Sequence, residues 1–220
     1  MLKIEFSSRK FNVSNTVRFS DKFRMDAALN FNRQATDNVP DVVYGPNSVI
    51  YNVVIWTGAD WDVEADDIRG IWKPGKEGVE SIFAEYKRYH NPWFTSYHWL
   101  RGHYKNDTYG FTSLNYDFND NLSVLARTSI TTYDLFRNEK MPFSAHPYGR
   151  EENRGDYRED RRSMFENNTE ALMSYTNKFG ALNLDAKVGG NIRTFAYNSN
   201  FTSTNYLLVP EVYHLANSAN

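Results

Sequence analysis

The chain contains no cysteine, which removes disulfides, thiolate metal centres and a cysteine nucleophile together. It has no long apolar run either. The longest are four residues, such as Val53-Val54-Ile55-Trp56, where a membrane helix needs roughly 20. Neither sign of charge is in excess: 25 Lys and Arg against 27 Asp and Glu leave a formal charge of −2. That balance supplies neither a basic footprint for nucleic acid nor an acidic tail. The opening residues, Met1 to Phe6, lack the apolar core and small-residue cleavage site of a secretory signal. The expectation is therefore a cytosolic protein or a reading frame that begins inside a longer one. A helical membrane protein is excluded. A membrane β-barrel is not, because its strands alternate apolar and polar residues and look hydrophilic on average.

What the 220 residues do have is rings, 5 Trp, 15 Tyr and 15 Phe, together with abundant Asn. Aromatics without long aliphatic runs favour β structure. Three segments share one layout: an alternating run, a short polar turn, and a second alternating run. In the first, Phe23, Met25, Ala27, Leu29 and Phe31 oppose Arg24, Asp26, Asn30 and Asn32. In the second, Leu122, Val124, Ala126 and Ile130 oppose Ser123, Arg127, Ser129 and Thr131. In the third, Leu184, Ala186, Val188 and Ile192 oppose Asp185, Lys187, Asn191 and Arg193. The expected turns are Ser20-Asp21-Lys22, Asn119-Asp120-Asn121 and the neighbourhood of Thr176-Asn177-Lys178. A period of two across a short Asn/Asp turn is a hairpin signal. The reading is all-β: six long antiparallel strands in hairpins near 10–34, 104–136 and 163–197, with long loops at 35–103, 137–162 and 198–220.

Short turns on one end of a sheet and long loops on the other is the asymmetry of an outer-membrane barrel. Soluble strands usually run about 5–6 residues, and these alternate for longer. In a barrel the apolar stripe (Phe23, Leu29, Val124, Ile130, Leu184, Val188) meets lipid. Arg24, Asp26, Arg127, Asp185, Lys187 and Arg193 then line the lumen, where charges stay hydrated or paired. Alternation alone leaves open a soluble or secreted β-sandwich carbohydrate-binding module, whose apolar faces pack on each other, and a β-rich hydrolase.

Several motifs resemble the SusC/RagA family of TonB-dependent outer-membrane transporters. They are Asn91-Pro92-Trp93-Phe94, the hairpin Leu114-Asn115-Tyr116-Asp117-Phe118 with its turn and Leu122-Ser123, the stretch Ser174 to Gly180 followed by Val188-Gly189-Gly190-Asn191, and Val209-Pro210-Glu211-Val212-Tyr213-His214-Leu215-Ala216-Asn217. In the last, Glu211 stands where the family pattern usually has Gly. Each is short; their order and spacing carry the likeness. The resemblance implies part of a barrel of about 22 strands. It also implies a SusD-like surface lipoprotein as partner, oligosaccharide or peptide as cargo, and energy coupling by TonB through N-terminal parts this chain lacks. Six strands are fewer than the about 8 of the smallest single-chain membrane barrels.

Other motifs fail on chemistry. Gly70 to Glu77 nearly matches a phosphate-binding loop, but Glu77 replaces the hydroxyl residue that holds magnesium and would repel phosphate. Asp60, Asp62 and Glu64 open like a calcium loop, yet the sixth and twelfth positions are Ala65 and Ile71. A looser cation set of Asp60, Asp62, Asp66 and Asp67 competes with a solvated acidic loop. His90, His98, His103, His146 and His214 match no zinc spacing. No catalytic residue, metal or cofactor is assigned, and no enzyme activity is expected. The five tryptophans, Trp56, Trp61, Trp72, Trp93 and Trp99, all lie in the first long loop. They are the candidate substrate-contacting rings, stacking on sugars or anchoring a partner, unless they pack the loop against itself.

Overall fold

The computed structural model describes residues 5–39, 41, 45, 48–55, 57–81, 89–145 and 154–219. Six strands form one antiparallel sheet: β1 (Ser7–Arg18), β2 (Phe23–Thr36), β5 (Leu100–Asn119), β6 (Leu122–Met141), β7 (Asp156–Phe179) and β8 (Leu182–Ser203), in the order β1-β2-β5-β6-β7-β8. Between β2 and β5 lie α1 (Val49–Ile55), α2 (Asp66–Arg69), a small hairpin of β3 (Trp72–Lys73) and β4 (Lys76–Glu80), and α3 (Pro92–Tyr97). Among the described residues no helix is long and apolar enough to cross a membrane.

The turns follow local chemistry. Asn119 Oδ1 accepts from the amides of Asn121 and Leu122 at 2.9 and 3.0 Å, closing β5 onto β6. Asn121 then exchanges backbone and side-chain bonds with Thr176 at 2.8 and 2.7 Å, so one hairpin's turn is tied to the next strand. The third turn is at Gly180-Ala181, not near Asn177 as the Asn-rich stretch suggested. Gly180 has φ +63°, a conformation that costs an L side chain about 1–2 kcal/mol. All three short connections gather at one end of the sheet, since Phe23 pairs Tyr116 and Leu122 pairs Tyr175.

The strands also run past the alternating segments. Residues 137–141 and 156–162, expected as loop, continue β6 and β7 in unbroken register, and β8 runs on to Ser203. In the β6 and β7 extensions both faces carry charged side chains, and residues 198–203 of β8 are polar on both faces but for Phe201, so no hydropathy contrast marks the strands.

Register fixes which side chains share a face. Phe23, Leu29, Val124, Ile130, Leu184 and Val188 all project to one side, and Arg24, Asp26, Arg127, Asp185, Lys187 and Arg193 all project to the other. No second sheet covers the apolar side among the described residues. Leu182, Val188 and Ile192 are 64, 67 and 75 % exposed. The packed interior lies instead at the long-loop end, where Phe94, Trp99, Met141 and Ala145 are buried with Ile71 and Trp72 against them. Burying a side chain such as Phe94 contributes about 1.5–3 kcal/mol, and this cluster holds the loop onto the strand ends.

Candidate functional site

Asn91-Pro92-Trp93-Phe94 opens α3. The Asn91 side chain accepts from the amides of Trp93 (2.8 Å) and Phe94 (3.4 Å), and Pro92 occupies the first turn, where its missing N–H costs nothing. The Asn91 amide nitrogen donates to Ile68 O at 2.7 Å and Ser81 O at 2.9 Å, so this one buried residue ties α3 to α2 and β4. Beside it the buried Glu80 carboxylate meets His90 Nδ1 at 2.9 Å and accepts from the Asn91 backbone amide. His90 in turn packs on Phe94 and Trp99 with ring centroids 5.5 and 5.4 Å apart.

This cap sits over the charged strand ends. His103, Arg137, Asp160 and Phe201 form one row across β5–β8 on the polar face, with Arg101, Glu139 and Arg158 in the next row. Glu139 is the hub. It accepts from Trp99 Nε1 at 2.7 Å, Arg101 Nε at 2.9 Å and Arg158 Nη1 at 3.3 Å. Arg101 has Asp41 as a second partner at 3.3 Å, Arg158 has Asp156 at 3.3 Å, and Asp160 is held by Arg162 at 2.8 Å. Arg137 forms no salt bridge among the described residues. With Val39, these side chains line a cavity of about 400 Å³. Its chemistry is ion pairing and hydrogen bonding to groups of either sign.

The tryptophans separate. Trp93 is buried with its Nε1 donating to Val63 O at 2.8 Å, and Trp99 is 1 % exposed. Neither ring offers a free face, because both are spent on packing the loop. Trp72 packs edge-on against Phe94 at 5.7 Å, and Trp61 is partly exposed. Trp56 and His146 lie outside the described residues.

The polar-face charges make local pairs lower down the sheet. Asp26 accepts from Thr16 (2.8 Å), Arg24 (3.1 Å) and Asn115 (3.2 Å). Arg127 reaches Glu170 at 3.6 Å and lies over Phe111, and Arg193 makes a two-pronged bond to Glu166 at 2.9 Å. Asp185 and Lys187 are exposed on β8.

The tempting motifs resolve into structure. Gly70–Glu77 holds the β3–β4 hairpin, with Gly75 at φ +71° in its turn. Asp66 and Asp67 sit in the first turn of α2, and Asp62 accepts from the Glu64 amide. Among the described residues no three acidic or histidine side chains converge as a metal set.

The segment Val209–Asn217 is a closed loop. The Asn217 amide donates to Val209 O (2.8 Å) and Val212 O (2.7 Å), and His214 Nδ1 accepts from Ala216 N at 3.1 Å. Glu211 has φ +59°, which explains why Gly suits that position. Its carboxylate accepts from Phe143 N at 3.0 Å and from the Tyr213 hydroxyl. Burial first, and Glu211 second, push the Tyr213 phenol well above the ordinary tyrosine range. Glu211→Gly is expected to be near neutral for stability, since relief of about 1–2 kcal/mol of backbone strain offsets the lost bonds. Glu211→Ala keeps the strain and loses the bonds, costing about 1–3 kcal/mol. Chemical denaturation compares them, and spectroscopic titration should show Tyr213 ionising at lower pH in both.

The sites that sequence reading missed, Glu139, Arg101 and Arg158, lie where both strand faces are polar; only charges spaced two apart, as in Arg158-Asp160-Arg162, signal a strand there.

No family model and no curated protein matches the chain. Solved structures do. A chain in the structure of the RagAB peptide importer in the "closed-closed" state aligns at TM-score 0.64 and 11 % identity, over 98 % of this chain and 23 % of that one. This sheet has the fold of part of the RagAB importer. A structure of the RagAB peptide transporter gives TM-score 0.69 at 10 % identity, over 99 % of this chain and 23 % of that one. The chain thus spans about a quarter of the length of the RagAB chains it matches. At such identity the RagAB likeness is one of fold alone: an open, six-stranded antiparallel sheet.

Proposed function

We propose that this chain forms part of the wall of an outer-membrane, TonB-dependent transporter of the SusC/RagA type, importing peptides together with a SusD-like surface lipoprotein. The observation that carries the reading is the register: over the turn-side half of the sheet, Phe23, Leu29, Val124, Ile130, Leu184 and Val188 share one face that no described residue covers, and Arg24, Asp26, Arg127, Asp185, Lys187 and Arg193 share the other. In water such a face is a liability; against lipid it is the requirement. The apolar band on β6 runs from Val124 to Thr132, close to the about 9–11 residues of a tilted spanning strand. Aromatic residues edge it, Phe23 and Tyr116 near the turns and Phe11, Phe31 and Phe165 toward the loops. The loop cap then faces outward, where a lipoprotein would dock, and the Glu139 cavity opens on the lumen side.

Peptide is favoured over oligosaccharide by the mixed-sign charges of that cavity and by the cargo named for the RagAB neighbours. Of the loop rings, Trp61 keeps surface for a contact with cargo or partner. Cell fractionation tests the reading: expressed from its own gene, the protein should enter the outer-membrane fraction and co-purify with a surface lipoprotein. Labelled-peptide uptake should fall at least on the order of tenfold when TonB coupling is removed, equivalent to about 1.4 kcal/mol or more on the rate-limiting barrier. Recovery in the soluble fraction would sink it.

A further inference from the structure

Resting on the lipid-facing reading, we propose that Arg9 and Arg33 form a binding site for the phosphate of an outer-leaflet lipid headgroup. The two arginines are directly opposite each other on β1 and β2. They project from the apolar side of the sheet, one row beyond the Phe11–Phe31 pair that edges the band. Neither makes a salt bridge to a described residue. Like charges facing across a strand pair destabilise it, and the fold holds two such cations side by side with no anion between them among the described residues. Arg161, on the same side, is by contrast held by Glu159 at 3.0 Å.

Arg9 and Arg33 share a surface depression of about 490 Å³ with Phe31, Asn106 and Asp134. The row continues Arg33–Asn106–Asp134, so the carboxylate is separated from the cations by a neutral amide and repels an anion toward β1 and β2. Facing residues on paired strands stand about 4.5–5.5 Å apart at Cβ. Two guanidinium forks at that spacing can grip one phosphate from both sides, each with paired N–H donors. The position suits the ligand: aromatic rings mark the edge of the hydrocarbon, and the phosphates of lipid headgroups begin just beyond it.

The test uses the 220-residue chain and phosphatidylcholine vesicles with and without phosphatidic acid, a phosphate-monoester lipid. The chain should partition into neutral vesicles, and phosphatidic acid should raise the partition. Arg9→Gln with Arg33→Gln should keep the neutral partition and lose roughly thirtyfold of the gain. Both residues are exposed, so the variant keeps the fold, checked by its β-type circular dichroism. Arg9→Lys with Arg33→Lys, which keeps charge but loses the fork, should retain part of the gain. An undiminished gain in the Gln variant, or full retention by the Lys variant, overturns the site in favour of diffuse attraction. Suppression of the gain by millimolar inorganic phosphate overturns the headgroup in favour of a soluble phosphate. Failure to enter neutral vesicles is a different result: it removes the lipid-facing reading itself, and the site with it.

Discussion

An arginine placed at Ala126 is expected to cost about 2–4 kcal/mol of stability in a bilayer, whereas an arginine at Thr131 is expected to stay within about 0.5 kcal/mol of the parent. Ala126 lies between Leu114 and Ala171 on the apolar side, near the middle of the band. Thr131 lies between Tyr109 and Glu166 on the opposite side, where a new cation stays hydrated beside the Glu166–Arg193 pair. The substitutions are chemically alike and five positions apart, so the contrast isolates facing from composition. Urea unfolding from lipid vesicles, or the yield of inserted protein, reads the difference. Equal losses at the two positions would mean that both sides meet the same solvent, and the barrel assignment would fail.

Asn91→Ala is expected to loosen the loop cap by about 2–4 kcal/mol, because it removes a helix cap and the side-chain donor to the Ile68 and Ser81 carbonyls, of which Ile68 O keeps only its bond from the Ile71 amide. Asn91→Asp should be worse. It keeps the acceptor oxygen for Trp93 and Phe94 but points a carboxylate at the Ile68 and Ser81 carbonyls, next to the buried Glu80. An unpaired buried charge costs more than a lost neutral bond. Amide exchange at Phe94 should accelerate at least on the order of a hundredfold in the Ala variant. Exchange in the middle of β5 and β6 should not change, since the Asn91 bonds all lie within the loop. An unchanged Phe94 amide would show that the aromatic cluster holds α3 without its cap.

The two readings draw on different parts of the chain, and so did the sequence's success in announcing them. Met25, Phe31, Ile130, Leu184 and Ala186 reveal their strands because their neighbours in sequence are polar, a contrast visible in any window of a few residues. Arg158, Asp160 and Arg162 offer no such contrast, only their spacing, because Glu159 and Arg161 between them are also charged. Trp93 and Trp99 read as surface rings in a turn-rich segment, yet they are interior. Nothing local in the sequence joins Glu80 to His90, yet the two side chains meet in the interior at 2.9 Å. The Asn-rich stretch Thr176-Asn177-Lys178 drew the turn away from Gly180, because Asn favours turns generally while the register across β7 and β8 decides which residue must bend.

By itself the sequence determined the strands, their two faces and the class of environment each face can tolerate, because a period of two is a local property of the chain. Only the tertiary structure decided how far the strands continue, which tryptophans are interior and that Glu139 gathers Trp99, Arg101 and Arg158. Those outcomes rest on partners far apart in sequence, 40 residues for Trp99 and Glu139, brought together by strand pairing. The opposition of Arg9 to Arg33 belongs to the same category: two ordinary surface cations in sequence become a site only when β1 and β2 align them.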